Sequence, residues 1–204
     1  MWKWLLSWLS QPSVEYQRRW PEHREASPRA DGNSAHTRRT RVAEKSVTRS
    51  PIFFYDRGQP YYEFTNFSPH SVWYDGKEYP TSEHLFQAHK FFNKAPHLAE
   101  TIRMQPTSRA ALEEARRLRR LQRSDWLKVN IHCMDAVLEA KFTQHPRLRS
   151  MLLSTGDREL VEASPVDAFW GYGADKQGRN ELGKALMRLR QQFRAQEVMV
   201  RGRL

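Results

Sequence analysis

Apolar and polar positions change rhythm near residue 50. Beyond it, IFFY, YYEF and SVWY are short aromatic or β-branched runs, separated by turn-rich residues 57–60, 66–70 and 75–76. Runs bounded in this way predict strands. Asp75 and Gly76, between SVWY and KEY, predict a hairpin turn. The first half of the domain should therefore be a small, largely antiparallel sheet. Pro80 then bars an earlier helical start, and Thr81 is a good N-cap for a helix carrying Glu83 in its first turn. At 100° per residue, Glu83, Gln87 and Lys90 share one face of that helix, and Leu85, Ala88 and Phe92 the opposite one. Residues 107–123 read as a basic helix. Ser124 should cap a long helix over residues 125–144, stopped by Pro146, with Leu127, Ile131, Met134, Leu138 and Phe142 as its core stripe. A short helix over 147–153 closes at Gly156, and ELVEA (159–163) reads as a strand. Asn180 should cap a last helix with the stripe Leu182, Ala185, Leu186, Leu189 and Phe193. The basic end, residues 196–204, is expected to fray. The fold class is α+β: a small, mainly antiparallel sheet with helices packed around it, one domain over about 51–195.

Charge changes the picture mainly before residue 50. The chain of 204 residues carries a net charge of +11. Ten Lys/Arg and five Asp/Glu fall in the first fifty residues. That stretch is polar, basic and broken by proline and glycine, so it is expected to be disordered. It begins with a short apolar head, Trp2, Trp4, Leu5, Leu6, Trp8 and Leu9, suited to a weak membrane or partner contact. The head is too short to span a bilayer, and no convincing cleavage site follows; the expected location is cytoplasmic. The basic excess favours anionic partners, without choosing among phosphorylated metabolites, nucleic acid and acidic membrane. Cys133 is the only cysteine, so no intrachain disulfide can form, and it reads as a small core residue. The eight histidines show no metal-ligand spacing.

Candidate chemistry comes from a few side chains, each with a plainer role beside it. The helix N-terminus favours an ionised Glu83, which suits a base, a nucleophile or a cation stabiliser; the residue could equally only complement the helix dipole. Asn66 is a turn former or a ligand contact. Asp167 and Trp170, three apart in a loop with Pro165, Gly171 and Gly173, are a turn former and a core wedge, or two groups converging on a ligand. Trp126 packs at a rim or stacks on a base. Arg116, Arg117, Arg119, Arg120 and Arg123 form a solvated face or a phosphate or nucleic-acid contact.

FTNFSP followed by DGKEYPTSEHLFQAHKF resembles the opening signature of the YbiA-like, or NADAR, family of N-glycosidases. STGDRELVEASPVDAFWGYG followed by GRNELGKALMRLR resembles its closing signature. The two matches stand in the family's order and cover about residues 52–190. The resemblance implies hydrolysis of a ribosyl–nitrogen bond without metal or cofactor. Such a reaction passes through a sugar resembling an oxocarbenium ion and needs positioned carboxylates. Glu83 matches the place of the family's catalytic glutamate, and Asp167 is taken as its partner. Asn66, Lys90, Trp126, Trp170 and Gly171 are taken as substrate contacts, with Lys90 meeting phosphate or assisting departure of the base. Relatives usually carry a Gly-Arg pair near the arginine run, where this chain has Leu118 among arginines. Two substrate types follow: phosphorylated ribosylamino-pyrimidine intermediates of riboflavin synthesis, and ADP-ribose attached to nucleic-acid bases, especially guanine. A non-catalytic ADP-ribose or NAD-binding module is the third reading, and turnover separates it from the others.

Overall fold

The computed structural model describes residues 50–202. The expectations for the apolar head and the basic extension lie outside those residues. Strand β1 (Ile52–Phe54) buries its first and third residues and exposes Phe53. It pairs in parallel with β4 (Leu160–Glu162), Ile52 opposite Leu160 and Phe54 opposite Glu162. Strands β2 (Val72–Tyr74) and β3 (Lys77–Tyr79) form an antiparallel hairpin. Its turn, Asp75 and Gly76, has φ of 48° and 72°, as a two-residue hairpin turn requires. The class is mixed α and β as expected, with one antiparallel and one parallel pair. The parallel pair arises because β1 and β4 bracket most of the helical sequence between them.

YYEF is not a strand. Tyr61 adopts a left-handed conformation (φ 66°), and Tyr62–Phe64 form a 3-10 turn. The carbonyls of Glu63 and Thr65 accept from the Lys141 ammonium, at 2.6 and 2.9 Å, instead of joining a ladder.

The six helices of the described residues pack around one another and the hairpin. Helix α1 (Ser82–Ala88) is the central one, in contact with α2 (Pro96–Arg103), α3 (Ser108–Arg117), α4 (Trp126–Gln144), β2 and β3. The expected amphipathic helix is corrected here: all seven residues of α1 are buried, because neighbours cover it on every side. Burying Leu85 and Phe86 contributes roughly 1.5–3 kcal/mol each. The basic stretch divides into α3 and a separate 3-10 turn, Arg119–Leu121.

The long helix α4 buries Met134, Leu138 and Phe142 of its expected stripe but not Leu127. Leu127 is 84% exposed, whereas Trp126, Asn130, Cys133, Val137 and Lys141 are buried. Two polar residues, Asn130 and Lys141, widen the inner face beyond what hydrophobicity shows. Its N-cap position is Asp125 rather than Ser124. Helix α5 (Pro146–Ser154) follows, and Gly156 turns the chain with φ 61°. Helix α6 (Glu181–Arg201) packs on α4, α5 and β4 through its expected stripe and stays helical to Arg201. Asn180 makes no capping bond with its side chain. It instead accepts from the Glu162 N–H at 3.0 Å and donates to the Leu160 carbonyl at 2.8 Å, bonding β4 where another strand would lie.

Candidate active site

The start of α1 is wired to its surroundings. The Thr81 hydroxyl meets the His84 backbone N–H, His84 Nδ1 (2.9 Å) and Ser108 Oγ (3.0 Å), and His84 Nε2 lies 3.0 Å from the Gln105 carbonyl. Glu83 is thereby held in a buried first turn. Its backbone N–H donates to the Asn66 carbonyl at 3.0 Å, and its Oε1 accepts from Gln87 Nε2 at 2.8 Å. Burial raises the Glu83 pKa, opposed by the Gln87 bond and then by Lys90, Arg116 and Arg109. The helix terminus was expected to favour the charge; desolvation outweighs it. Lys90 is pushed down to about 8 by burial, with Glu83 pulling it up and Arg116 and Arg119 pushing it down. Part of the arginine run thus reaches the site electrostatically, while Arg117 pairs with Glu114 and Arg123 with Asp125.

The aromatic wall forms around Phe86. Its ring lies 5.3 Å from Trp126 and 5.2 Å from Trp170, the latter edge-on at 88°. Lys90 Nζ stands 5.4 Å from the Trp126 ring centroid. Asn66, Glu83, Lys90, Trp126 and Trp170 are thus joined by a continuous chain of contacts, with Phe86 and Gln87 as links the sequence reading did not assign to the site. Asn66 is buried and gives its amide N–H to Met134 Sδ at 3.3 Å.

Asp167 does the work of a turn. Its Oδ1 accepts from the N–H groups of Phe169 (2.9 Å) and Trp170 (2.8 Å), which fixes the loop carrying Trp170. Gly171 is required by packing: a Cβ there would lie 2.8 Å from the Glu162 carbonyl oxygen and 2.9 Å from Ser164 Cβ. The acid that faces inward is Glu162. It occupies the same strand face as buried Leu160, two residues earlier. Its neighbours Leu160 and Val161 are both buried, so alternation along ELVEA does not single it out.

Six buried side-chain polar atoms lack a partner among the described residues: Asn66 Oδ1 and Gln87 Oε1, on the two residues bonded to Glu83, and Ser82 Oγ, His89 Nε2, Glu162 Oε2 and Arg190 Nε. Native interiors rarely leave such atoms unpaired except where function uses them. Two surface hollows of about 490 and 480 Å³ flank β1 and contain none of the site side chains, so chemistry rather than cavity size marks the site.

The model of the NADAR domain matches residues 53–194, which include every one of these side chains. The chain belongs to the NADAR family. It is similar to an N-glycosidase of Nostoc punctiforme, 42% identical over 144 residues, covering 70% of this chain and 92% of that protein. The N-glycosidase YbiA of Escherichia coli (strain K12) is 40% identical over 142 residues, 70% of this chain and 88% of the relative. A riboflavin biosynthesis protein of Vibrio vulnificus is 37% identical over 148 residues, 72% of this chain but 40% of that longer protein. The NMR structure of the E. coli protein YbiA superposes with a TM-score of 0.67 at 38% identity, covering 73% of this NADAR chain and 88% of its own.

Proposed function

We propose that this NADAR protein is an N-glycosidase that hydrolyses the ribosyl–nitrogen bond of phosphorylated ribosylamino-pyrimidines, intermediates of riboflavin synthesis. The N-glycosidase activity rests on family membership and on relatives that carry that name. The substrate is supported by one observation above others: a buried carboxyl, Glu83, lies within the field of Lys90, Arg116 and Arg109, beside the wall of Trp126, Phe86 and Trp170. The cations suit a phosphate, and the rings suit a flat base.

In this reading the C1′–N bond breaks as positive charge grows on the sugar. Glu83 stabilises that charge and takes a proton from the water that adds to C1′. The aromatic wall holds the base, and Lys90 with the nearby arginines anchors the 5′-phosphate. The same cations would also meet the diphosphate of ADP-ribose, so ADP-ribosylated guanine in DNA is the competing substrate. The test is release of free base from a ribosylamino-pyrimidine 5′-phosphate, from ADP-ribosylated DNA and from NAD. Preferred turnover of the first supports the proposal; preference for modified DNA replaces the substrate; binding without turnover favours a non-catalytic module.

A further inference from the structure

Glu162 has no assigned task in the reaction so far, and its placement is unusual. It ends β4 on the face shared with Leu160, opposite Phe54 of β1, where the neighbouring side chains are apolar and buried. Its backbone is fixed on both sides: the N–H donates to Asn180 Oδ1, and the carbonyl accepts from the Tyr172 N–H at 3.0 Å. Its Oε2 is buried with no partner among the described residues. Glu83 stands near enough for its charge to act on Glu162, and the two residues bonded to Glu83, Asn66 and Gln87, both more than nine-tenths buried, each leave an oxygen unpartnered. Asp167, the acid that the loop makes conspicuous, spends an oxygen on two backbone N–H groups.

We infer that Glu162 is the proton donor to the departing base, with Glu83 as the charged carboxylate of the same site. This deepens the N-glycosidase reading and rests on it. The two carboxyls stand in unequal surroundings. Burial raises both, but at Glu83 the rise is opposed by the Gln87 hydrogen bond and by Lys90, Arg116 and Arg109. The charges that reach Glu162 are those of Asp167 in the loop and Glu83 on α1. Burial first, and then these two acids, push its carboxyl up to about 8. Coupled carboxyls in such unequal surroundings ionise in sequence, so one keeps its proton at neutral pH. In the step, the C1′–N bonding pair goes to nitrogen, which takes the proton from Glu162. Water adds to C1′ and gives its proton to Glu83. Proton exchange with solvent restores both groups.

Leaving-group chemistry tests this. An amino-pyrimidine must be protonated as it departs, whereas the ring of a pyridinium ribosyl 5′-phosphate leaves neutral without a proton. Glu162→Gln should slow release of the amino-pyrimidine by ~10²-fold or more, the usual scale for a positioned acid. It should change release from the pyridinium substrate by only a few-fold. Equal slowing of both, or of neither, overturns the assignment. The wild type gives a second measurement that needs no variant. Loss of the Lys90 charge, which titrates in the same range, depresses both rates alike, so the amino-pyrimidine rate should fall further than the pyridinium rate as pH passes about 8; superimposable profiles overturn the assignment. A wild type that releases neither base removes the N-glycosidase reading instead. Glu162 is then judged by infrared spectroscopy at pH 7: a carboxylic-acid band that Glu162→Gln removes supports its protonated state, and absence of that band overturns it.

Discussion

Two groups of buried polar atoms meet along the segment from Glu63 to Ser68, and they are built on opposite rules. Lys141 of α4 is fully buried and gives its ammonium to three acceptors: the Glu63 carbonyl (2.6 Å), the Thr65 carbonyl (2.9 Å) and Ser68 Oγ (2.7 Å). Three donors meet three acceptors, and nothing is left over. One residue away, Asn66 leaves Oδ1 without a partner among the described residues, as do Gln87 at Oε1 and Glu162 at Oε2. A satisfied buried network holds a shape; an unsatisfied one costs stability and leaves atoms free to meet a ligand or water. Lys141 is therefore the clamp that shapes the Asn66 segment, and the segment in turn receives the Glu83 N–H.

The comparison can be broken most forcefully at the clamp. Lys141→Met should cost ~3–5 kcal/mol of stability, since removing one partner strands the others in a buried site. Urea unfolding measures it, and a loss below ~1 kcal/mol would mean that the acceptors find other partners. On the unsatisfied side, Glu83→Gln should leave the fold intact by circular dichroism and lower single-turnover release of base by ~10²-fold or more. A folded variant within a few-fold of wild type makes Glu83 a residue of the helix terminus and nothing more. Trp126→Ala and Trp170→Ala should each weaken ligand binding by about 1–3 kcal/mol if the rings stack on a base, with Phe retaining much of the affinity. A lowered melting temperature at unchanged affinity would assign the rings to packing on Phe86.

A further test of the contrast runs through pH. Glu162 has a folded pKa of about 8 against an ordinary 4.5. Between those values the folded chain holds a proton that the unfolded chain has lost, so this group makes stability fall as pH rises through that window. Its stabilisation relative to the unfolded chain is complete below pH 4.5 and gone above the folded value. Unfolding free energy of wild type minus Glu162→Gln should therefore decline from about pH 5 to 8. A flat difference means that Glu162 is solvated like any surface acid.

Much of the site could be read from residue order because local rules governed it. The Thr81 cap, the hairpin turn, the α6 stripe and the first-turn position of Glu83 each depend on neighbours within about four residues. Two acids separate what could be read from what could not. Asp167 was conspicuous in a proline-containing loop, and its visible chemistry is that of an Asx turn. Glu162 was taken as part of a strand, and the burial of its Oε2 comes from elements packed on β4 that are distant in sequence.

Local pattern was enough to set the mixed class, most helices, the hairpin and the family signatures, because periodicity and capping act over a single turn. The burial of Asn130 and Lys141 on α4, the burial of α1 on all sides, the conversion of YYEF to a 3-10 turn and the fate of each carboxyl were decided only by tertiary structure. The physical reason is the same for all four. Desolvation and partner choice depend on groups far apart in sequence, such as Lys141 with Thr65, Arg116 with Glu83, and Glu162 with Glu83. No local window contains both members of such a pair.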